Sequence, residues 1–206
     1  MSKSLYIVFT ATNTKTGKFI RYITKSKYNH VSISFDKKIN KMYSFARFFK
    51  NAPFLGGFVT ESALRYMCTN KQVPTKICEI PLNDEKYNDV INYVSSVKNS
   101  KDYMYNTISA TFVPIQKSFS IYKSFTCIEF VNKVLSIGGL TLKKVFTIND
   151  LEKILDKCKI FEGNMIEVSD TYEWGEDEYY KKKNIFVVLG KTIKHFTSLF
   201  YRLIMH

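Results

Sequence analysis

Short apolar runs and strict alternation predict β-strands in the first half of the chain. Residues 5–10 form an apolar run rich in β-forming side chains, and residues 30–35 alternate between apolar and polar positions. This alternation puts the apolar side chains of residues 30–35 on one face and His30 on the other, together with two serines. Two further strands are predicted over residues 41–47 and 76–82.

Apolar positions at helical spacing predict helices mainly in the second half. An apolar stripe runs along residues 83–97, where Asn83 or Asp84 is expected to cap the N-terminus. Three further segments are predicted to be helical: residues 126–137, 147–157 and 193–204. Two segments stay ambiguous: residues 19–24 between helix and loop, and residues 103–115 between helix and strand.

Residues 53–58 are expected to form a loop, because two adjacent glycines permit unusual backbone angles or the close approach of another group. Strands come first and helices follow, with strand returns between them, which predicts an α+β fold. The 206 residues suffice for one domain with its own core and a modest appendage. We place the domain at residues 1–165. Residues 166–206, an acidic and basic segment followed by an amphipathic helix, are interpreted as an extension.

The charge of the chain favours anionic partners. Lys and Arg number 31 against 18 Asp and Glu, which gives a formal net charge of +13. Nucleic acid, anionic lipid and acidic polymers would all be attracted by such a field. The cations are mostly scattered lysines without an Arg-rich run, a pattern more typical of a solvated surface than of a nucleic-acid interface.

Cysteine and histidine usage argues against a metal site, and no cofactor is expected. The four cysteines (Cys68, Cys78, Cys127 and Cys158) show no paired spacing, and one of the three histidines is the terminal His206. The apolar run at the N-terminus is too short for a signal peptide. Free thiols in a reducing, cytoplasmic setting are therefore expected. Peripheral association with a membrane is kept as an alternative.

Cys127 and His30 are the candidate chemical groups. Cys127 stands where the helix over residues 126–137 should begin, and free amides at a helix N-terminus favour a thiolate and can hold an oxyanion. His30 lies inside a predicted core strand and could serve as its base. Both residues also have structural interpretations: Cys127 as a small buried hydrophobe, and His30 as a strand histidine with satisfied hydrogen bonds.

The C-terminal segment carries an apolar stripe, made of Ile193, Phe196, Phe200, Leu203 and Ile204, with basic residues on its other faces. This composition fits a terminal helix docked on the domain core, and it also fits an interfacial helix on an anionic membrane surface. Interrupting lysines disfavour a transmembrane span. His195 is expected at the surface of this helix.

Two motifs resemble those of a known superfamily. Residues 20–36 (IRYITKSKYNHVSISFD) are similar to the histidine strand of the permuted NlpC-type papain-like superfamily, which includes YiiX-type proteins and lecithin–retinol acyltransferase-like enzymes. Residues 126–135 (TCIEFVNKVL) resemble its Cys-Ser-Glu-Phe-Val segment, with Ile128 in place of the Ser. The segments at 43–47 and 53–58 also look like a subgroup of that superfamily. The resemblance spans roughly residues 4–140, and histidine before cysteine is the permuted order.

The resemblance implies a circularly permuted papain-like fold, with an antiparallel sheet packed on helices. It implies that Cys127 is the nucleophile and His30 the general base. The superfamily places a polar third residue on the next strand to orient the imidazole, and the matching position is Ser44. Asp36 and Glu61 are the alternatives for that role. Glu129 matches the glutamate of the cysteine motif and is interpreted as structural.

The expected function is that of a thiol-dependent hydrolase, an amidase or cysteine peptidase, with peptides or cell-wall amides as the leading substrate class. Its reaction would pass through an acyl-enzyme, resolved by water or by another acceptor. Two alternatives remain: a lipid acyltransferase or esterase of the same fold, and an inactive binding or structural protein. The sequence leaves the oligomeric state open.

Overall fold

The computed structural model describes residues 3–12, 14–67, 72–115, 117–142, 145, 147–170 and 178–205. Cys68 and the acidic stretch within residues 171–177, both noted in the sequence, lie outside these residues. The strands are β1 (Lys3–Thr10), β2 (His30–Ser34), β3 (Met42–Arg47), β4 (Gly56–Glu61), β5 (Pro74–Leu82), β6 (Met104–Tyr105), β7 (Ser124–Phe125) and β8 (Lys159–Asn164). The helices are α1 (Lys15–Thr24), α2 (Leu64–Met67), α3 (Asp84–Asn99), α4 (Thr107–Phe112), α5 (Cys127–Ile137), α6 (Ile148–Leu155) and α7 (Ile185–Met205).

Within the described residues, six strands form one antiparallel sheet in the order β4-β3-β2-β1-β5-β8. A separate parallel pair, β6 with β7, lies next to it. Sheet and helices together confirm the α+β fold class.

The sheet is buried on both faces, and the larger core lies on the face covered by α3 and α5. Strand β1 supplies Ile7 and Phe9 to that core, whereas Val8 points to a smaller core on the opposite face. A central strand buried on both faces reads as a continuous apolar run, which explains the pattern at residues 5–10. Phe130 of α5 is fully buried in a cluster of aromatic rings that includes Phe45.

The interpretation of residues 53–58 as a loop holds for residues 53–55, which form a turn, and is wrong for Gly56, Gly57 and Phe58, which belong to β4. The expected close approach is present at Gly56. A Cβ there would lie 2.5 Å from the carbonyl oxygen of Ala46 and 2.9 Å from Cβ of Tyr105. The glycine lets β4 pair with β3 while β6 packs against it, so its role is steric rather than conformational.

The structure settles the two segments that the sequence left ambiguous, and it contains one strand that the sequence did not predict. Residues 103–115 contain both structures, because β6 is followed by α4, and residues 19–24 belong to the longer helix α1. Strand β8 was not predicted, since its exposed, polar sequence lacks a clear alternation.

Helix α7 is docked against the domain through one face. His195 is buried, which corrects its expected place at the surface: its Nε2 lies 3.0 Å from the carbonyl oxygen of Tyr105 and 3.2 Å from Oγ1 of Thr107. Leu199 is fully buried on the same face. No helix in the described part of the chain is long and apolar enough to cross a membrane.

Candidate active site

The cysteine of the site occupies the first position of α5. Thr126 caps this helix: its side chain accepts a hydrogen bond from the Glu129 amide, and the Glu129 carboxylate accepts one from the Thr126 amide at 2.7 Å. This capping box fixes the turn at which Cys127 emerges. Glu129 is held further by Ser118 and Asn106, which agrees with its structural interpretation. The thiol therefore sits where the amides of the first helical turn have no intrahelical partners.

The histidine of the site begins β2 and is almost completely buried. Its Nε2 lies 3.0 Å from Oε2 of Glu61 and 3.2 Å from Oγ of Ser44. The side chain of Cys127 lies beside the imidazole, close enough to raise its pKa. Because Nε2 faces Glu61 and Ser44, Nδ1 is the nitrogen that remains for the thiol. The ring thus lies between a thiol and a carboxylate.

Glu61 is the strongest partner of the imidazole. It ends β4, is buried, and has Nε of Arg65 3.5 Å from its second oxygen. Burial would raise the pKa of this carboxyl group, but the charges of His30 and Arg65 outweigh burial and lower it. The aromatic ring of Tyr66 lies 6.0 Å from the His30 ring and closes this side of the site.

The same charges set the state of His30. Burial is the largest single effect and lowers the pKa of the imidazole, but the Glu61 carboxylate and the Cys127 side chain together raise it to about 10. At neutral pH the ring is therefore an imidazolium. A positive ring beside a cysteine is an environment in which thiol nucleophiles are found.

The structure brings together His30, Cys127 and Ser44, the three predicted site residues. Ser44 contacts Nε2 as expected, and its hydroxyl also bonds backbone carbonyl oxygens. Of the two alternatives for the third position, Glu61 is in the site. Asp36 instead accepts backbone amides in the turn after β2. Glu61 was the weaker sequence signal because its place depends on the pairing of β3 with β4, a region in which a loop was expected.

An apolar cavity of about 370 Å³ opens beside Cys127 and His30. It is bounded by α1, α4 and neighbouring loops, with apolar side chains that include Phe19, Ile20, Ile23, Phe54, Val113 and Ile148. A cavity of this size is within the range of small-ligand pockets. The site can therefore accept an apolar group of a substrate next to the thiol.

The other described cysteines lack this environment. Cys78 is fully buried in the core, and burial raises the pKa of its thiol to about 12. Cys158 is half-buried at the end of a short turn. Among the described residues there is no group of three or more His, Cys, Asp or Glu side chains that could hold a metal ion.

Comparisons with known proteins name no family for this chain. Its function is therefore inferred from the arrangement around Cys127, and membership of the superfamily that its motifs resemble is a proposal. No protein-family model matches the chain, and no curated protein or solved structure is significantly similar to it.

Proposed function

We propose that this chain is a thiol-dependent hydrolase or acyltransferase with a permuted papain-like fold, which works through an acyl-enzyme on Cys127. One observation carries the proposal. Cys127, at the N-terminus of α5, lies beside a buried histidine whose Nε2 faces a buried carboxylate, and both residues line the same cavity. Nucleophile, base and orienting acid are the three roles of a cysteine hydrolase site.

The chemistry follows from the positions of these groups. The Cys127 sulfur attacks the carbonyl carbon of an amide or ester, while His30 holds the proton of the thiol. Amides of the first turn of α5 are suited to receive the oxyanion that forms. As the tetrahedral intermediate collapses, the bond to the leaving amine or alcohol breaks and His30 returns the proton to it. Water or a second acceptor then cleaves the thioester, with His30 as the base.

The cost of the buried charges favours an active site over a binding protein that merely keeps the fold. Glu61 and His30 are buried at 3.0 Å, with Arg65 near the same carboxylate. Buried ion pairs are weak stabilisers, because the loss of hydration offsets much of their attraction. Strongly shifted pKa values in a cleft are typical of catalytic groups. A protein without chemistry at this site would gain little from keeping the arrangement.

The cavity favours a substrate with an apolar acyl group as the second candidate beside a peptide or cell-wall amide. Its walls near Cys127 are formed by apolar side chains of α1 and by Phe54. These side chains suit an acyl chain or an apolar peptide side chain rather than a charged one. A lipid ester would use the same thioester chemistry as a peptide amide.

The proposal is tested by trapping the acyl-enzyme. Incubation with p-nitrophenyl acetate or p-nitrophenyl octanoate, followed by intact mass spectrometry and peptide mapping, should show acylation at Cys127. Variant Cys127→Ala should show none, and Cys158→Ala should react like the wild type. In parallel, iodoacetamide should alkylate Cys127 faster than Cys158 at pH 7, and His30→Ala should abolish this preference.

Two results would refute the proposal. The first is a rate of iodoacetamide alkylation at Cys127 that does not change in His30→Ala. The second is acylation that persists in Cys127→Ala, since the adduct would then be elsewhere. Circular dichroism of each variant shows that a lost reaction does not reflect lost folding.

A further inference from the structure

Helix α7 has a fixed orientation, since several contacts hold one of its faces on the domain. His195 and Leu199 are buried, and the rings of Phe196 and Phe54 lie 5.7 Å apart. At the C-terminal end, Nη1 of Arg202 donates to the carbonyl oxygen of Asp102 at 2.8 Å. The opposite side of the helix is therefore turned to solvent in a defined way.

That side carries an exposed apolar stripe, defined by Phe186, Leu189, Ile193, Phe200 and Ile204. Their exposed fractions are 79%, 57%, 60%, 53% and 79%. The spacings of three, four, seven and four residues keep these side chains on one line along the helix. Monomeric soluble proteins seldom expose a contiguous apolar patch of this kind without a binding role.

Positive charge is concentrated in the segment that carries the stripe. Residues 181–206 contain six Lys or Arg residues and no Asp or Glu. Three of the lysines (Lys181, Lys182 and Lys183) precede α7 and are exposed, and Lys194 is exposed on the helix roughly a quarter turn from the stripe. An amphipathic helix with an apolar stripe and basic flanks is the composition that inserts shallowly between anionic lipid headgroups.

We propose that the exposed stripe of α7 binds the surface of an anionic lipid bilayer, with the helix lying in the plane of the interface. Charge selects this occupant over a second copy of the chain. Pairing two α7 helices through their stripes would bring together two segments that are rich in lysine and contain no acidic residue, whereas anionic headgroups complement them. The proposal does not depend on the chemistry of Cys127.

The bilayer would lie next to the cavity of the candidate active site. Phe54 lines that cavity, is 46% exposed, and packs on Phe196 of α7. Two further side chains of the cavity wall are also exposed: Phe19 at 62% and Ile23 at 37%. An apolar rim beside a membrane-bound helix would let an amphiphilic molecule pass from lipid to cavity with little exposure to water.

Vesicle flotation with the full chain tests the proposal. Vesicles of phosphatidylcholine alone are compared with vesicles of equal parts phosphatidylcholine and phosphatidylglycerol. The wild type should float with the anionic vesicles, bind pure phosphatidylcholine weakly, and be released by high salt. Variant Ile193→Asn with Phe200→Asn should bind at least about tenfold more weakly. Lys194→Gln should weaken binding about fivefold.

A matched control replaces two exposed apolar residues near the far edge of the sheet, Ile154→Asn with Ile160→Asn, which should leave binding unchanged. Equal losses in the control and stripe variants would overturn the proposal, as would failure of the wild type to bind anionic vesicles. Sedimentation velocity without lipid tests the rival occupant, which is a second copy of the chain. A wild-type dimer that dissociates in the Ile193→Asn, Phe200→Asn variant would show the stripe to be a contact between copies.

Discussion

Replacing Glu61 by Gln removes the charge that holds His30 protonated while it keeps the size of the side chain and one oxygen. With Nε2 and Oε2 3.0 Å apart, the Coulomb attraction is roughly 5 kcal/mol at an effective dielectric constant of about 20. An energy of that size favours the imidazolium over the neutral ring by more than about a thousandfold. Burial acts in the opposite direction on His30. Without the carboxylate, burial dominates, and the pKa of the ring should fall from about 10 to below its usual 6.5.

The consequence for Cys127 is measured by the rate of iodoacetamide alkylation at about pH 6. A neutral imidazole no longer stabilises the thiolate, so Glu61→Gln should react at least about tenfold more slowly than the wild type. Imidazole resonances in NMR spectra should show His30 charged at pH 7 in the wild type and neutral in the variant.

Two matched variants separate the three residues considered for the orienting role. Ser44→Ala removes an uncharged partner of Nε2 and leaves the Glu61 carboxylate in place, so it should slow alkylation less than Glu61→Gln does. Asp36→Asn removes a carboxylate in the turn after β2 and should leave the rate unchanged. If Glu61→Gln were to match the wild-type rate at pH 6 while His30→Ala did not, the electrostatic reasoning would be wrong. The imidazole would then act without the carboxylate.

The buried pair of His30 and Glu61 also predicts how the free energy of unfolding depends on pH. The pKa of His30 is raised, so its contribution is complete below about 6.5 and is lost as the pH rises towards about 10. The pKa of Glu61 is lowered, so its contribution is present above about 4.5 and is lost as the pH falls further. In denaturant titrations, the free energy of unfolding should therefore differ most between wild type and Glu61→Gln from about pH 4.5 to 6.5. The loss there should be up to about 3 kcal/mol. A constant difference from pH 4 to 10 would argue against a buried ion pair.

Two further predictions concern the scaffold. Gly56→Ala should lower the free energy of unfolding by about 1–3 kcal/mol, because its Cβ would lie 2.5 Å from the carbonyl oxygen of Ala46. Gly190→Ala, in an open position of α7, should raise it by up to about 1 kcal/mol, and thermal melts compare the two. A hydrogen bond from Lys27 leads the interactions that lower the pKa of Glu162 to about 2. Because Lys27 is exposed to solvent, Glu162→Gln should lower the free energy of unfolding at pH 7 by less than about 1 kcal/mol. That difference should disappear as the pH falls from about 4.5 to 2, and a difference that persists below pH 2 would contradict it.

Local patterns predicted the elements that carry the two reactive groups. Strand β2 alternates because its two faces meet different environments, and α5 begins at a residue capped by a threonine with a glutamate three positions on. Both signals lie within a few neighbouring residues. Strand β8 gave no such signal, because an exposed edge strand needs no apolar alternation and its place depends on pairing with β5.

The third member of the site could not be read from local sequence, since Glu61 reaches His30 only through pairing of strands. Its neighbour across the sheet is Met42, so both the hairpin of β2 with β3 and the pairing of β3 with β4 must form first. Gly56 permits the second pairing by leaving room for Ala46 and Tyr105. The glycines that suggested a loop are thus the reason that a strand can carry the carboxylate to the histidine. The charge of His30, and with it the reactivity that we propose for Cys127, therefore depends on the pairing of the strands rather than on either motif alone.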